Sequence, residues 1–249
     1  MTVSTTAAGA DAAAGPSHRR VWLGTVAVLL VGLAFNLAEH RLGLPVWVGP
    51  AMALGLLGFA RLVGLSWSQL GLGRSRLLSG LRWGGAAVLA VALVYAVGLM
   101  LPLTRTAFLD ARYHLSVPSA LFTALVAIPV GTVLVEEVLF RSVLWGFLAR
   151  HTAAWRVLLA SSVLFGLWHV LPSIGLASAN QAIGSAVTGF GPAAAFLVVA
   201  GTVLFTAAGG VVAGELRRRS GSILASAGMH WATNALGILF GLAAWQLVA

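Results

Sequence analysis

The sequence predicts an all-α, polytopic bundle of transmembrane helices, and its composition and hydropathy carry this prediction. Of the 249 residues, 59% are hydrophobic and 8% are charged, and the mean hydropathy is +0.97. Soluble domains contain roughly 25% charged residues. A helix crosses a bilayer with about 20 mostly apolar residues. We expect about seven spans, with six and eight as limits, at 21–38, 46–63, 83–103, 118–147, 157–171, 191–214 and 222–247.

The amino-terminal segment, residues 1–20, is predicted to be a disordered cytoplasmic tail. It is rich in Ala, Thr, Ser and Gly and has too few bulky side chains to form a packed core. The pair Arg19–Arg20 is followed at once by a long apolar run without an Ala-x-Ala site, which is typical of an uncleaved signal anchor. No internal repeat divides the remainder, so we expect a single transmembrane domain over 21–249.

Two segments between the spans have a mixed character. Leu65–Arg74 and the following Arg76–Trp83 are predicted to form a cytoplasmic connector with a short amphipathic helix at the membrane interface. Segment 174–189 is too polar and Gly-rich for an ordinary span. An extracytoplasmic loop and a re-entrant helix beside a polar site both remain possible for it, because irregular backbone at membrane depth needs protein or water around it.

The arginines predict the orientation of the bundle. All fifteen basic residues are Arg, and the loops of one side hold most of them, namely Arg19, Arg20, Arg61, Arg74, Arg76, Arg82, Arg150, Arg156, Arg217, Arg218 and Arg219. The opposite loops hold Arg41, Arg105 and Arg112. The positive-inside rule therefore places the N-terminus in the cytoplasm. Since the basic residues flank the spans and form no aromatic-interleaved patch, we expect no nucleic-acid partner.

Three of the predicted helices carry polar residues within apolar sequence. The motifs are Glu136-Glu137-Val-Leu-Phe-Arg141, Phe165-Gly-Leu-Trp-His169 and His230-Trp-Ala-Thr-Asn234. An ionisable group at mid-membrane costs about 2.5 to 3.5 kcal/mol on insertion scales, so such groups usually face a bundle interior or a water-filled cavity. The depths of the three motifs match when they are counted from the cytoplasmic helix ends. We expect one buried polar site toward the cytoplasmic half of the bundle.

The spacing within the motifs predicts which side chains share a helix face. Glu137 and Arg141 are four residues apart with the acid first, the favourable order for an ion pair, while Glu136 points about 100° away. One carboxylate is thereby neutralised and the other stays available. His169 and Asn234 lie four residues after Phe165 and His230 and face the same way as those partners.

Hydrolysis by an activated water suits a glutamate, two histidines and an asparagine under apolar cover. A carboxylate with a His partner can take a proton from water, and an Asn with the second His can donate hydrogen bonds to an oxyanion. The same side chains can instead hold zinc through two His and one Glu, with water in the fourth position. The chain has no cysteine, which excludes thiolate ligands and a cysteine nucleophile. Both interpretations remain open.

Two further classes of protein are compatible with buried ionisable groups. One is a proton-coupled transporter in which the glutamates and histidines relay protons. The lack of an inverted repeat argues against it. The other is a non-catalytic membrane protein that binds a partner through the bundle, such as a bacteriocin-immunity protein.

The three motifs, in this order and on separate helices, resemble those of the CPBP family, the CAAX-protease and bacteriocin-processing membrane peptidases also called the Abi family. The resemblance covers 118–240 and implies that this part is the catalytic core of an intramembrane endopeptidase. It implies six site residues, Glu136, Glu137, Arg141, His169, His230 and Asn234. In this arrangement Glu136 is the general base for water, and His169 assists it.

The resemblance also assigns the other four residues and the surroundings of the enzyme. His230 and Asn234 would donate to the oxyanion, and Glu137 with Arg141 would position the helix. It favours a glutamate-dependent reaction without a cofactor; in the metal-dependent alternative, zinc or another divalent ion would be bound by Glu136, His169 and His230. The implied partners are the lipid bilayer and a peptide or membrane-anchored protein substrate, with the oligomeric state open. The Ala- and Arg-rich, Lys-free composition is typical of a GC-rich bacterial genome, which predicts a multi-pass inner-membrane protein.

Overall fold

A bundle of seven helices makes up most of the computed structural model, which describes residues 18–248. The helices are α1 His18–Leu42, α2 Val48–Leu62, α3 Arg74–Met100, α4 Val117–Leu148, α5 Ala154–Trp168, α6 Ala193–Ser220 and α7 Ile223–Val248. Five of them are long and apolar enough to cross a membrane, and α2 and α5 are shorter apolar helices. No β-strand occurs within 18–248. The predicted all-α polytopic class is therefore confirmed.

The predicted amino-terminal tail falls largely outside the described residues. Residues 1–17 are not among them, and the last three residues of the predicted tail, 18–20, form the first turn of α1. The helix then runs for 25 residues. Its buried residues include the small or polar Gly24, Thr25, Gly32 and Asn36, and most of its large apolar side chains are exposed. This distribution fits a transmembrane helix whose small residues pack against neighbouring helices and whose large apolar residues face lipid.

The prediction of a connector over Arg76–Trp83 was wrong, because α3 is helical from Arg74 onward. The reason is tertiary packing on the first turns of α7. A Cβ atom on Gly84 would lie 2.8 Å from the carbonyl oxygen of Leu224, and one on Gly228 would lie 2.9 Å from the Cα of Gly84. Small residues allow this close approach, so the segment stands against α7 and does not lie flat at an interface.

Helix α4 carries both glutamates and lies between α2 and α7, with α1 and α5 also in contact. Pro129 falls inside it and lacks the N–H of a regular helical hydrogen bond. The helix widens into π-helical turns over Thr123–Val133 and Val138–Leu144, and Leu134–Glu137 forms a short α-helical turn between them. π-helical turns are rare and often occur at functional sites. The two glutamates thus lie on the turn between two irregular segments.

The loops at one end of the bundle are tied together by arginine. Arg217, near the end of α6, donates hydrogen bonds to the carbonyl oxygens of Arg141 and Gln69 at 3.1 and 3.0 Å. Arg150 donates to the side-chain oxygen of Gln69 at 2.9 Å. Gly71 in the same loop has a φ of +74°, and the Arg217 guanidinium lies directly where its Cβ would be. A glycine is therefore required at this turn on two grounds.

Segment 174–189 is folded against the loop between α3 and α4 at the opposite end. It contains the short helices Leu176–Ala179 and Gln181–Val187. Asn180 donates to the carbonyl oxygen of Ala107 at 2.9 Å, and its backbone pairs with that of Asp110. The segment is thus a structured loop whose contacts are made with its neighbouring loop.

Asp110 is the buried charge of this loop pair. Its carboxylate accepts two hydrogen bonds from the Arg112 guanidinium at 2.9 and 2.7 Å, and the indole of Trp245 donates to its carbonyl oxygen at 3.2 Å. Burial by itself raises the pKa of the Asp110 carboxyl, but the hydrogen bonds and charge of Arg112 outweigh it and hold that pKa below its ordinary value. The loop between α3 and α4 is therefore held by an ion pair within it and by a hydrogen bond to α7.

Candidate active site

Both glutamates of α4 approach one histidine of α7. Oε1 of Glu137 lies 2.9 Å from Nδ1 of His230, and Oε2 of Glu136 lies 3.6 Å from Nε2 of the same ring. The first distance is a hydrogen bond in which Nδ1–H donates, and the second is too long for one. All three residues are at least 94% buried. The structure thus places an imidazole ring between two adjacent carboxylates.

Arg141 lies one turn beyond Glu137 and provides the positive charge of the site. Its Nη1 lies 3.3 Å from Oε1 of Glu137, close enough for an ion pair although not in hydrogen-bonding geometry. The ion pair expected from the sequence is present. The Arg141 guanidinium also stands over the ring of Phe165, 3.9 Å from its centroid. Because both charged side chains are almost inaccessible to water, the pair depends on contacts within the protein.

The Glu136 carboxylate is held at one oxygen only. The indole Nε1–H of Trp168, at the end of α5, donates to its Oε1 at 3.0 Å. Its Oε2 is buried and accepts no hydrogen bond from the described part of the chain. Glu136 also has no cation within ion-pair distance there apart from the ring of His230. One carboxylate oxygen of Glu136 is therefore available to a substrate or a water.

His169 is anchored separately from the two glutamates. Helix α5 ends at Trp168, and Nδ1 of His169 donates to the carbonyl oxygen of Phe165 at 2.8 Å, which leaves Nε2 as its free nitrogen. The Phe165 ring makes edge contacts with both histidines, with centroids 4.7 Å from His169 and 5.5 Å from His230. Within 18–248, His169 forms no hydrogen bond or ion pair with either glutamate. Phe165 is thus the spacer between the two histidines.

Asn234 lies in an irregular turn of α7, four residues after His230. Residues Ala232–Leu236 are π-helical, and the turn is fixed at both sides. The indole of Trp231 donates to the carbonyl oxygen of Ala124 at 3.0 Å, and the hydroxyl of Tyr95 donates to the carbonyl oxygen of Thr233 at 2.9 Å. The half-buried Asn234 side chain takes part in none of the hydrogen bonds of the described residues. Its amide is therefore free to contact a ligand.

The three side chains of the metal-dependent alternative, Glu136, His169 and His230, are not gathered into one set of ligands in this structure. Within 18–248, no group of three or more His, Cys, Asp or Glu side chains is placed to hold a metal ion. Glu136 and His230 approach each other, but His169 binds the backbone of its own helix through Nδ1 and forms no hydrogen bond or ion pair with either carboxylate within 18–248.

Sequence reasoning missed one residue that contacts the predicted site directly. Trp168 precedes His169 and lies within the Phe165–His169 motif, yet its indole is the hydrogen-bond donor to Glu136. A tryptophan near a helix end normally indicates an interfacial anchor. The only available signal was its position, which is three residues after Phe165 and so near the same helix face.

The comparisons with known proteins bear on this region. A family model described as Type II CAAX prenyl endopeptidase Rce1-like matches residues 118–236, from the start of α4 into α7. This matching segment, just under half of the chain, is called the Rce1-like region below because it is similar to that family. This match confirms the resemblance to the CPBP family. Neither the curated proteins nor the solved structures give a match to the chain.

The Rce1-like region contains all three polar motifs. Helices α1, α2 and α3 lie outside it, although α1 and α2 pack against α4 and α3 packs against α7. At the level of the family, the match supports a membrane protease of the CAAX type that acts on a peptide or prenylated protein. The polar site is therefore the candidate active site of the Rce1-like region.

Proposed function

We propose that this protein is an intramembrane endopeptidase that cleaves a peptide bond with a water activated by Glu136. The observation that carries the proposal is that only one oxygen of the Glu136 carboxylate is bound. Oε1 accepts a hydrogen bond from Trp168, while the buried Oε2 accepts none from the described protein atoms. A fixed carboxylate in an apolar environment is a suitable general base. Oε2 accepts a proton from water as the water oxygen attacks the scissile carbonyl carbon.

Glu137 and Arg141 act by positioning the neighbouring groups. The Glu137 carboxylate accepts the Nδ1–H of His230 and thereby fixes the ring orientation, so that Nε2 faces Glu136. Arg141 balances the charge of Glu137 through the buried ion pair. This division of labour explains two adjacent acids, because one orients the histidine and the other acts on water.

The tetrahedral intermediate requires donors for its oxyanion. We assign this role to the side-chain amide of Asn234, which has no hydrogen bond to the described chain, and to Nε2–H of His230, which is present only when the ring carries a proton on both nitrogens while Nδ1–H donates to Glu137. Such donors stabilise the charge that develops on the carbonyl oxygen. When the carbon–nitrogen bond breaks, Glu136 returns its proton to the leaving amine. The products are a carboxylate and an amine, and water is the only co-reactant.

His169 assists from the opposite side of Phe165. Its Nδ1 is committed to a backbone carbonyl, so that Nε2 is the nitrogen that can contact the attacking water or the leaving amine. This role does not need a direct bond between His169 and Glu136.

The substrate proposed for this site is a peptide or a membrane-anchored protein, and the membrane is the bacterial inner membrane. We place the N-terminus and the arginine-tied loops in the cytoplasm, in accord with the positive-inside rule. The site then opens toward the cytoplasmic half. Because the chain has no cysteine, single cysteines placed at Ser68 and at Thr106 can be tested for labelling from either side of the membrane. Labelling of Ser68→Cys from the outside would reverse this orientation.

The test of the catalytic proposal is cleavage of a panel of fluorogenic and membrane-anchored peptides by purified protein. Glu136→Gln keeps the size of the side chain and an acceptor for Trp168 but cannot take up a proton, and the expected loss is about 10²- to 10⁴-fold in kcat. Glu215→Gln is the matched control, because Glu215 pairs with Arg218 and Arg219 at the end of α6. Equal loss in both variants, or full activity in Glu136→Gln, would reject the proposal.

A further inference from the structure

Trp168 is placed to control the orientation of the Glu136 carboxylate. Its indole N–H donates to Oε1 at 3.0 Å, and the two residues belong to different helices, α5 and α4. A carboxylate with one oxygen bound and the other free can rotate if the bond is lost. The hydrogen bond therefore fixes which oxygen is presented to the site.

The indole ring is itself packed against aromatic rings of two other helices. Phe35 of α1 is stacked against it at 6.4 Å with an interplanar angle of 14°, and Phe140 of α4 meets it edge-on at 5.4 Å and 84°. These contacts restrict rotation of the ring about its side-chain bonds. The N–H is thus directed at Glu136 by packing as well as by hydrogen bonding.

The backbone of Trp168 is held by α1. The side-chain amide of Asn36, which is 92% buried, donates to the carbonyl oxygen of Trp168 at 3.2 Å. This carbonyl is one of the last of α5 and has no partner within a regular helix. A helix outside the Rce1-like region therefore supports the residue that contacts Glu136.

The other side of the indole borders an apolar cavity of about 440 Å³ between α1, α4 and α5. Asn36 and Trp168 are among the few residues with polar groups that line the cavity. Most of the other lining residues are apolar, as are Leu33, Leu139 and Leu164. Trp168 thus lines this cavity and also binds the buried carboxylate of Glu136. A mere space-filling residue here would need no N–H.

We propose that Trp168 is a positioning residue for catalysis, which holds Oε1 of Glu136 so that Oε2 faces the attacking water. This inference rests on the proposed role of Glu136. It separates two functions of the side chain, because the ring closes the wall of the cavity and the N–H orients the base. Loss of the N–H alone should slow the chemical step while the protein remains folded.

The test replaces Trp168 by benzothienylalanine, in which sulfur takes the place of the indole N–H and the shape of the ring is kept. The expected result is a fall in kcat of about 10- to 100-fold, the range for a hydrogen bond to a charged group, with KM unchanged and the protein still folded at the assay temperature. The same replacement at the exposed Trp155 is the control and should change none of these. An unchanged kcat at Trp168 would overturn the inference, and a fall in the thermal midpoint that accounts for the lost activity would do the same.

A second readout does not depend on activity. The indole N–H resonance of Trp168, identified by its loss in Trp168→Phe, should move in Glu136→Leu, which removes the acceptor. The indoles of Trp231 and Trp245 donate to backbone oxygens elsewhere and serve as internal references. No shift would show that the hydrogen bond is absent and would overturn the inference. A third outcome is that the resonance shifts while Glu136→Gln still cleaves. The hydrogen bond is then present, but Glu136 is not the general base. The proposed function and the inference that rests on it would both fail.

Discussion

Replacement of Arg141 by methionine tests the electrostatic core of the site. The guanidinium is 1% exposed, pairs with Glu137 at 3.3 Å and lies over Phe165 at 3.9 Å. Removal of one partner from a buried ion pair costs about 3 to 5 kcal/mol, because it leaves the other charge uncompensated. Arg141→Met should therefore lower the free energy of unfolding by about that amount. Arg156→Met, at an exposed site, should change it by less than about 0.5 kcal/mol.

The assay is reversible unfolding in mixed micelles, followed by far-ultraviolet circular dichroism, for the four proteins of a double-mutant cycle. Glu137→Gln removes the charge that Arg141→Met leaves unpaired. The double variant should therefore be more stable than the sum of the two single effects predicts. Strict additivity, or a loss below about 1 kcal/mol in Arg141→Met, as for an exposed pair, would refute the role of Arg141 as the buried counter-charge.

The remaining predictions concern packing, the loop cluster and the histidine. Gly84→Val should destabilise the protein by about 1 to 3 kcal/mol because it overpacks the contact between α3 and α7, whereas Gly85→Val meets open space and should be neutral in the same unfolding assay. The pKa of the Asp110 carboxyl is lower in the folded protein than its ordinary value, so the charged carboxylate stabilises the fold at any pH above the ordinary carboxyl pKa. This stabilisation is lost as the pH falls through the lowered pKa. Asp110→Asn should therefore remove an acid-dependent step from a titration of the thermal midpoint. Persistence of the step would show that another group causes it. His230→Gln should abolish cleavage while the far-ultraviolet spectrum stays helical, and measurable turnover by this variant would argue against the oxyanion role of His230.

The sequence was sufficient for those features that depend on local pattern. The number of helices followed from apolar length, and the ion pair between Glu137 and Arg141 followed from their spacing of four residues. The order of the three polar motifs led to the family that the comparison confirms. Each of these features depends on the residues of a single helix or on the order of motifs along the chain.

Features that depend on which helices touch could not be obtained in this way. Transmembrane helices are apolar on most faces, so that periodicity does not identify a neighbour. For this reason the sequence predicts a connector where α3 begins, although close contact at Gly84 and Gly228 brings this part of α3 against α7. For the same reason the sequence could not show that His230 lies close to both glutamates or that Trp168 donates a hydrogen bond to Glu136.

The most direct measurement of the central claim is the cleavage rate of wild-type protein and Glu136→Gln, each with and without a strong chelator, on one membrane-anchored peptide. A Glu136-activated water predicts that the wild type cleaves at the same rate with chelator and that Glu136→Gln does not cleave in either condition. Loss of wild-type cleavage on chelation with recovery on addition of zinc would contradict the account, as would cleavage by Glu136→Gln at the wild-type rate.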